Sequence, residues 1–201
     1  MRILAIAVLT GLIMAAAPAA NAQEQVPDTA AAIFAGGCFW CMEPPFDKLD
    51  GVHATVSGYI GGSAKDADYG RVSSGGTGHY EAVRIEYDPA KIDFATLLEV
   101  FWRNVDPFDG RGQFCDKGPQ YLTAIFALDE TQRKLAEESK AALAARTSEH
   151  GKIRTEILPA SEFYPAEGYH QDYYQKNPLR YKFYRWNCGR DQRLQAIWGK
   201  S

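Results

Sequence analysis

The feature that most constrains this chain is a junction, where the apolar run Ala30-Ala31-Ala32-Ile33-Phe34-Ala35 stops at Gly36-Gly37 and meets Cys38-Phe39-Trp40-Cys41. A short apolar run closed by two glycines reads as a buried strand ending in a tight turn. Cys38 then opens a helix that runs toward Leu49 and stops at Asp50-Gly51. That placement leaves the Cys38 thiol beside unpaired backbone N–H groups and the positive end of a helix dipole, so its pKa is expected to fall. Phe39 and Trp40 flank the thiol, and if the helix start faces solvent they form an apolar slot for a small group.

The rest of the chain alternates strands and helices. Val52 to Tyr59 reads as a strand, a Gly-rich loop carrying Tyr69 ends near Gly78, and Tyr80 to Tyr87 is the next strand, closed by Asp88-Pro89. Phe94, Leu97, Leu98, Phe101 and Trp102 fall at helical spacing between Asp93 and Asn104, with Asp93 placed to cap and the aromatics read as core. A loop spans Asp106 to Pro119, Tyr121 to Leu128 is a strand, Asp129 caps a polar-rich helix to about Ala145, and Lys152 to Leu158 is a further strand. Beyond Pro159 the chain is Tyr-rich and reads as a long irregular C-terminal tail wrapping the domain. The order β-α-β-β-α-β-α-β favours a two-layer α+β sandwich over a parallel sheet, because the second and third strands can pair antiparallel. It is close to a ferredoxin-like unit with additions.

With 201 residues, 46% of them apolar, the chain can bury one substantial core, and residues 23–201 are expected to form a single domain. A formal charge of −3 with both signs mixed gives no footprint for nucleic acid or anionic lipid. Met1-Arg2, the apolar stretch Ile3 to Ala17 and the small residues up to Ala22 read as a secretory signal peptide cleaved near Ala22. Pro18 interrupts a run already short for a spanning helix. The mature chain is therefore expected to be exported, to the periplasm in a bacterial host, with no stable membrane association.

Four cysteines remain, Cys38, Cys41, Cys115 and Cys188. An even count in an exported chain suggests two structural disulfides. Against that, a domain of this length does not need staples, and Cys38-Phe39-Trp40-Cys41 has a redox-like spacing. No set of Cys and His residues has zinc-site spacing on both sides, so neither metal nor cofactor is expected.

The motifs Gly37-Cys38-Phe39-Trp40, Gly58-Tyr59-Ile60-Gly61-Gly62, Gly78-His79-Tyr80-Glu81-Ala82-Val83 and Tyr169-His170-Gln171 resemble the peptide methionine sulfoxide reductase A family, in order, from about Ile33 to the carboxyl end. The resemblance implies a ferredoxin-like α+β core and reduction of the S epimer of methionine sulfoxide, free or in proteins. It implies that Cys38 attacks the sulfoxide sulfur, that Phe39 and Trp40 hold the substrate methyl group, and that Glu81 protonates the sulfoxide oxygen. Tyr69 and Tyr121 match the family's oxygen-binding tyrosines, and Asp116 matches its site aspartate. A sulfoxide oxygen leaves poorly until protonated, which calls for a carboxylic acid of raised pKa, and phenols donate without competing for that proton. Leu122-Thr123 departs from the Arg-Ser often found there in the family. His79 and His170 fit the motifs and read as hydrogen-bonding scaffold.

Two other functions fit parts of this pattern. A thiol–disulfide oxidoreductase shares the CxxC spacing but wants a cis-Pro segment facing it, for which Pro89, Pro107 and Pro119 offer no clear candidate. A binding module would capture exposed Met with aromatics and loops but would consume no thiols. For a reductase, the sulfenic acid left on Cys38 must become a disulfide that a thioredoxin-like reductant reopens. Three thiols compete to form it. Cys188 is preferred because the family commonly carries resolving cysteines in its tail; Cys41 is next through its spacing, and Cys115 third.

Overall fold

The computed structural model describes residues 29–147 and 150–199; the expected leader lies outside them. Strand β1 (Ala30–Gly36) is the centre of the molecule. Its alternate side chains enter two different cores: Ala32 and Phe34 join the one under the helices, while Ile33 and Ala35 join the one on the opposite sheet face. Burial on both faces explains why the run is continuously apolar rather than alternating.

After β1 come a three-residue 3₁₀ turn (Phe39–Cys41) and the short helix α1 (Glu43–Asp47). The continuous helix expected from Cys38 to Leu49 is thus broken in two. Pro44 and Pro45 lack the N–H groups that would bond back to residues 40 and 41, and they are tolerated only in a helix's first turn. Strand β2 (Val52–Ile60) follows, then helix α2 (Tyr69–Ser74) inside the expected loop, and strand β3 (Tyr80–Tyr87). Asp68 caps α2 by accepting from the Arg71 amide at 3.1 Å, a local signal hidden by the surrounding glycines.

Helix α3 (Phe94–Arg103) begins at the Asp93 cap, which accepts from Thr96 N at 2.8 Å, and buries Leu97, Leu98 and Phe101. Phe34 is the contact between sheet and helices, its ring 5.6 Å from Phe46, 5.9 Å from Phe94 and 5.0 Å from Phe101. Next are a two-residue hairpin, β4 (Gly112–Gln113) with β5 (Asp116–Lys117), and strand β6 (Thr123–Ala127). Helix α4 (Glu130–Arg146) and strand β7 (Glu156–Pro159) complete the main body.

The tail is ordered, which corrects the irregular segment expected from sequence. It forms strand β8 (Phe163–Pro165) and helices α5 (Tyr173–Lys176), α6 (Pro178–Asn187) and α7 (Arg190–Trp198). Pro178 opens α6 with its φ already set, and Gly189 in the left-handed region turns the chain into α7. The helical period was obscured because apolar side chains lie on both faces: Tyr181, Leu194 and Ile197 are buried, whereas Leu179, Phe183 and Trp186 are exposed.

The six-stranded sheet runs β7-β6-β1-β3-β2-β8. All its pairs are antiparallel except β6 with β7. Among the described residues, no helix is long and apolar enough to cross a membrane.

Candidate active site

The end of β1 delivers Cys38 to the site through two glycines that no other residue replaces easily. Gly37 has φ +80, and a Cβ there would lie 2.6 Å from Gln113 Cβ; a Cβ on Gly36 would lie 2.4 Å from Met42 Sδ. Buried Gln113 braces the turn from below, donating from Nε2 to the carbonyls of Asp106 and Gly112. Buried Arg190 braces it from the tail: Nη2 reaches Asn104 O at 2.6 Å and Gly36 O at 3.4 Å, and the guanidinium lies 4.4 Å from the Phe114 ring centre.

Cys38 is 7% exposed and precedes the 3₁₀ turn without making a side-chain cap. Burial pushes its thiol well above the ordinary cysteine range, and interaction with Cys41 and the charges of Glu81 and Asp116 add to the effect. This reverses the expected lowering, because a three-residue turn has too little dipole to outweigh burial among acidic neighbours. Cys41 goes the other way, to about 6, through its interaction with Cys38 against the opposing effect of burial, with Arg190 and Arg185 helping. The interaction between the two thiols thus moves them in opposite directions, Cys38 up and Cys41 down.

Glu81, on β3 opposite Tyr59 of β2, is 2% exposed. Its Oε2 accepts the Phe39 backbone N–H at 3.2 Å. Burial raises its pKa to about 8, opposed by that hydrogen bond and assisted by Asp116 and Cys41, so near neutrality it is mostly a carboxylic acid. Tyr69, at the start of α2, is pushed up by burial and then by Glu81 and Cys38. Tyr121 is pushed up by burial and then by Glu81, Tyr69, Asp116 and Cys38. Cys38, Tyr69, Glu81, Asp116 and Tyr121 thus act electrostatically on one another, although they come from the turn after β1, α2, β3, β5 and the turn before β6. Neither Tyr69 nor Tyr121 has a hydrogen-bond partner for its hydroxyl among the described residues, which leaves both phenols able to donate to a ligand.

Phe39 and Trp40 are not a matched exposed pair. Phe39 is buried, 6.0 Å from the Tyr59 ring and 5.0 Å from His170, while half-buried Trp40 stacks on Tyr173 at 3.7 Å and 5°. Trp40 Nε1 donates to His170 Nδ1 at 2.9 Å, and His170 also packs 4.4 Å from Tyr69. His79 accepts from the Gly62 amide through Nδ1 at 3.2 Å and, with its proton on Nε2, donates to Ser63 O at 3.0 Å. Both ring nitrogens of His79 are thus engaged with the frame of the site, whereas buried His170 is held through Nδ1 and its Nε2 has no hydrogen-bond partner among the described residues.

Cys188 is not a mobile tail thiol. It is bonded to Cys115, with Cα atoms 4.8 Å apart, while Cys38 and Cys41 are free and buried together. One staple and one dithiol replace the two staples that an even cysteine count suggests. Among the described residues, Cys115, Asp116 and Cys188 bring three candidate ligand atoms within 4.8 Å of one another, two of them the sulfurs already bonded together.

Several neighbours escaped the sequence reading. Tyr184 of α6 donates to Asp116 Oδ2 and meets Trp40 edge-on at 5.8 Å. Glu43, wholly buried, accepts from Ser57 Oγ at 2.8 Å and is raised to about 7, mainly by burial. Arg190 was visible only as one charge in a tail of mixed charges; nothing local marked it as buried.

Comparison with known proteins gives a consistent result. The family model described as peptide methionine sulfoxide reductase matches residues 30–201. Peptide methionine sulfoxide reductase MsrA 2 of Caulobacter vibrioides is 51% identical over 86% of this chain and 87% of its own. Among solved structures, reduced Mxr1 of Saccharomyces cerevisiae is similar at TM-score 0.70 and 32% identity, over 75% of this chain and 86% of that one. Methionine sulfoxide reductase A of Corynebacterium diphtheriae follows at TM-score 0.67 and 35% identity, over 76% and 77%.

Proposed function

The chain belongs to the peptide methionine sulfoxide reductase family and is a thiol-dependent peptide-methionine (S)-S-oxide reductase, and from that premise we propose how its residues divide the work. Cys38 attacks the sulfoxide sulfur. Glu81 gives its proton to the oxygen, Tyr69 and Tyr121 hold that oxygen, and Asp116 shapes the charge around the thiol. Trp40, backed by buried Phe39, bounds the slot for the substrate methyl group. The observation that carries the assignment is Glu81: a buried carboxyl, protonated to about pH 8, seated on the amide of the residue after Cys38. A general acid needs that protonation state and that position.

Cys41 takes the resolving role from Cys188. Its thiol is three residues from Cys38 and is lowered to about 6, and thiolate is the attacking form, whereas Cys188 is already spent in a bridge. A thioredoxin-like protein reopens the Cys38–Cys41 disulfide; the yeast relative Mxr1, which is known in complex with Trx2, supports this partner. The strand order β6-β1-β3-β2, with α1 and α3 as crossovers, supports reading the core as ferredoxin-like. The leader at residues 1–22 supports export to the periplasm and a mature start near Gln23.

Epimer-resolved turnover tests the reading. Cys38→Ser must abolish release of methionine from the S-sulfoxide while leaving the fold intact, and residual turnover would reject Cys38 as nucleophile.

A further inference from the structure

A sulfoxide sulfur is pyramidal, so a site that grips both its oxygen and its methyl group must hold the two gripping walls at a fixed spacing. Here the walls come from different elements. Tyr69, on the oxygen side, is the first residue of the short helix α2, where backbone N–H groups have no acceptor within the helix. Trp40 and Phe39, on the methyl side, lie in the turn after β1. Something outside both elements has to set the distance between them.

Glu167, in the tail after β8, reaches both sides. Its Oε1 accepts the Tyr69 backbone N–H at 2.9 Å, and its Oε2 accepts the Tyr59 hydroxyl at 2.9 Å. Tyr59 is fully buried, stands opposite Glu81 across β2 and β3, and lies 6.0 Å from the Phe39 ring. The same Oε2 is 3.9 Å from His170 Nε2, an electrostatic contact rather than a hydrogen bond. His170 Nδ1 accepts from Trp40 Nε1 at 2.9 Å, and because an indole only donates, the neutral ring carries its proton on Nε2, beside the carboxylate. The His170 ring also packs 4.4 Å from Tyr69 and 5.0 Å from Phe39.

The backbone around Glu167 is fastened independently of these contacts. Ala166 N donates to Ser57 O at 2.8 Å, just after β8 pairs Pro165 with Gly58 of β2. Gln171 then grips both backbone groups of Ser57, accepting from N through Oε1 at 2.9 Å and donating to O through Nε2 at 2.9 Å. Residues 166–171 are therefore tied to β2 on both sides of the carboxylate. Burial acts to raise the Glu167 pKa, but donation from the Tyr69 amide, its own amide and Tyr59 outweighs it and holds the carboxyl below its ordinary range. An ionised carboxylate offers both oxygens as acceptors, which matches the two donors present.

We propose that Glu167 is a positioning residue for sulfoxide reduction: by joining Tyr69, Tyr59 and His170 it fixes the spacing between the oxygen-binding wall and the methyl slot, and so limits the size of the S-alkyl group the site accepts. A slot whose wall can retreat admits an ethyl group in place of methyl; one held at fixed spacing excludes it. Glu167 acts through the walls and exchanges no proton with the substrate. The inference rests on the roles given above to Tyr69 and Trp40.

The test compares peptides carrying methionine-(S)-sulfoxide with the same peptides carrying ethionine-(S)-sulfoxide. The unaltered protein should prefer the methyl compound by about 10-fold or more in kcat/KM, the range for one methylene in a fixed apolar slot. Glu167→Met keeps the side-chain length but removes both acceptors. It should raise KM for the methyl compound by about 10-fold, the scale of a lost hydrogen bond to a charged group, with kcat changed less, and it should narrow the methyl-over-ethyl preference. Glu167→Gln still offers an oxygen to the Tyr69 amide and should recover most of both. A loss of folded protein alone would lower kcat for the two peptides equally and leave KM and the preference where they were, and that result would overturn the proposal. So would the absence of a methyl preference in the unaltered protein. If Glu167→Met does not fold, Tyr59→Phe removes one of the two donors and should narrow the preference in the same direction; an unchanged preference there would also overturn it. An unaltered rate in Tyr69→Phe would reject the reading on which this rests, whereas a slowed Tyr69→Phe beside an unchanged Glu167→Met would reject this inference alone.

Discussion

The backbone N–H of Phe39 donates to Glu81 Oε2 at 3.2 Å, tying the turn that carries Cys38 to the middle of β3. That hydrogen bond favours the ionised carboxylate, yet burial outweighs it, and the carboxyl stays protonated to about pH 8. The contact thus fixes the position of the acid without surrendering its proton.

Glu81→Gln is expected to lower kcat by about 10²-fold or more. In the unaltered protein the single-turnover rate should fall as pH rises through about 8, because the general acid is lost there. Stability should change in the same window. The folded-state pKa lies above the unfolded 4.5, so the contribution is full below about 4.5 and is lost as pH rises through about 8. Melting curves at pH 5 and pH 9 should therefore separate more in the unaltered protein than in Glu81→Gln; equal separations would place the titration elsewhere.

Cys41→Ser should release one methionine per enzyme and then stall with thioredoxin as donor. Cys188→Ser should keep cycling but lose about 2–4 kcal/mol of stability, the usual contribution of a disulfide. Peptide mapping of the oxidised protein should find Cys38–Cys41 beside an intact Cys115–Cys188 bridge. A dominant Cys38–Cys188 bridge would restore the tail cysteine to the resolving role.

Among the described residues the hydroxyls of Tyr69 and Tyr121 have no hydrogen-bond partner, and both phenols are pushed up by burial and by Glu81 and Cys38. Tyr69→Phe and Tyr121→Phe should each lower kcat/KM by about 10²-fold, the effect of removing one donor to a developing oxyanion. Variants within twofold of the parent would remove the phenols from the oxygen site.

What the sequence made legible was local. The strand ending at Gly36-Gly37, the caps Asp93 and Asp129, and the strand from Tyr80 to Tyr87 all recur in the structure because each depends on neighbours in the chain. Glu81 and the two tyrosines were named through the family resemblance, not through any local pattern. The Cys38 thiol was misjudged because its pKa is set by burial among Glu81, Asp116 and Cys41, which no helix-start rule includes. The tail was misjudged because its order comes from a bridge spanning 73 residues and from Arg190 reaching Gly36 and Asn104. Long-range contacts of that kind leave no periodic trace.

Arg190 is the most informative of those tail residues, since it is 2% exposed and acts on both the frame and the chemistry. Its Nη2 donates to Asn104 O at 2.6 Å, also reaches Met42 Sδ at 3.1 Å, and its charge helps hold the Cys41 thiol near 6. Hydrogen bonds from a charged donor contribute about 1.5–3 kcal/mol each, so Arg190→Met should cost roughly 3 kcal/mol of unfolding free energy after apolar packing offsets part of the loss. It should also raise the Cys41 pKa, moving the pH midpoint of Cys41 alkylation upward from about 6. Arg190→Lys keeps the charge but loses the planar fork. It should therefore preserve much of the low alkylation midpoint while losing stability, which separates the electrostatic part of the role from the structural one. A midpoint that does not move in Arg190→Met would assign the low Cys41 pKa to Cys38 and Arg185 alone.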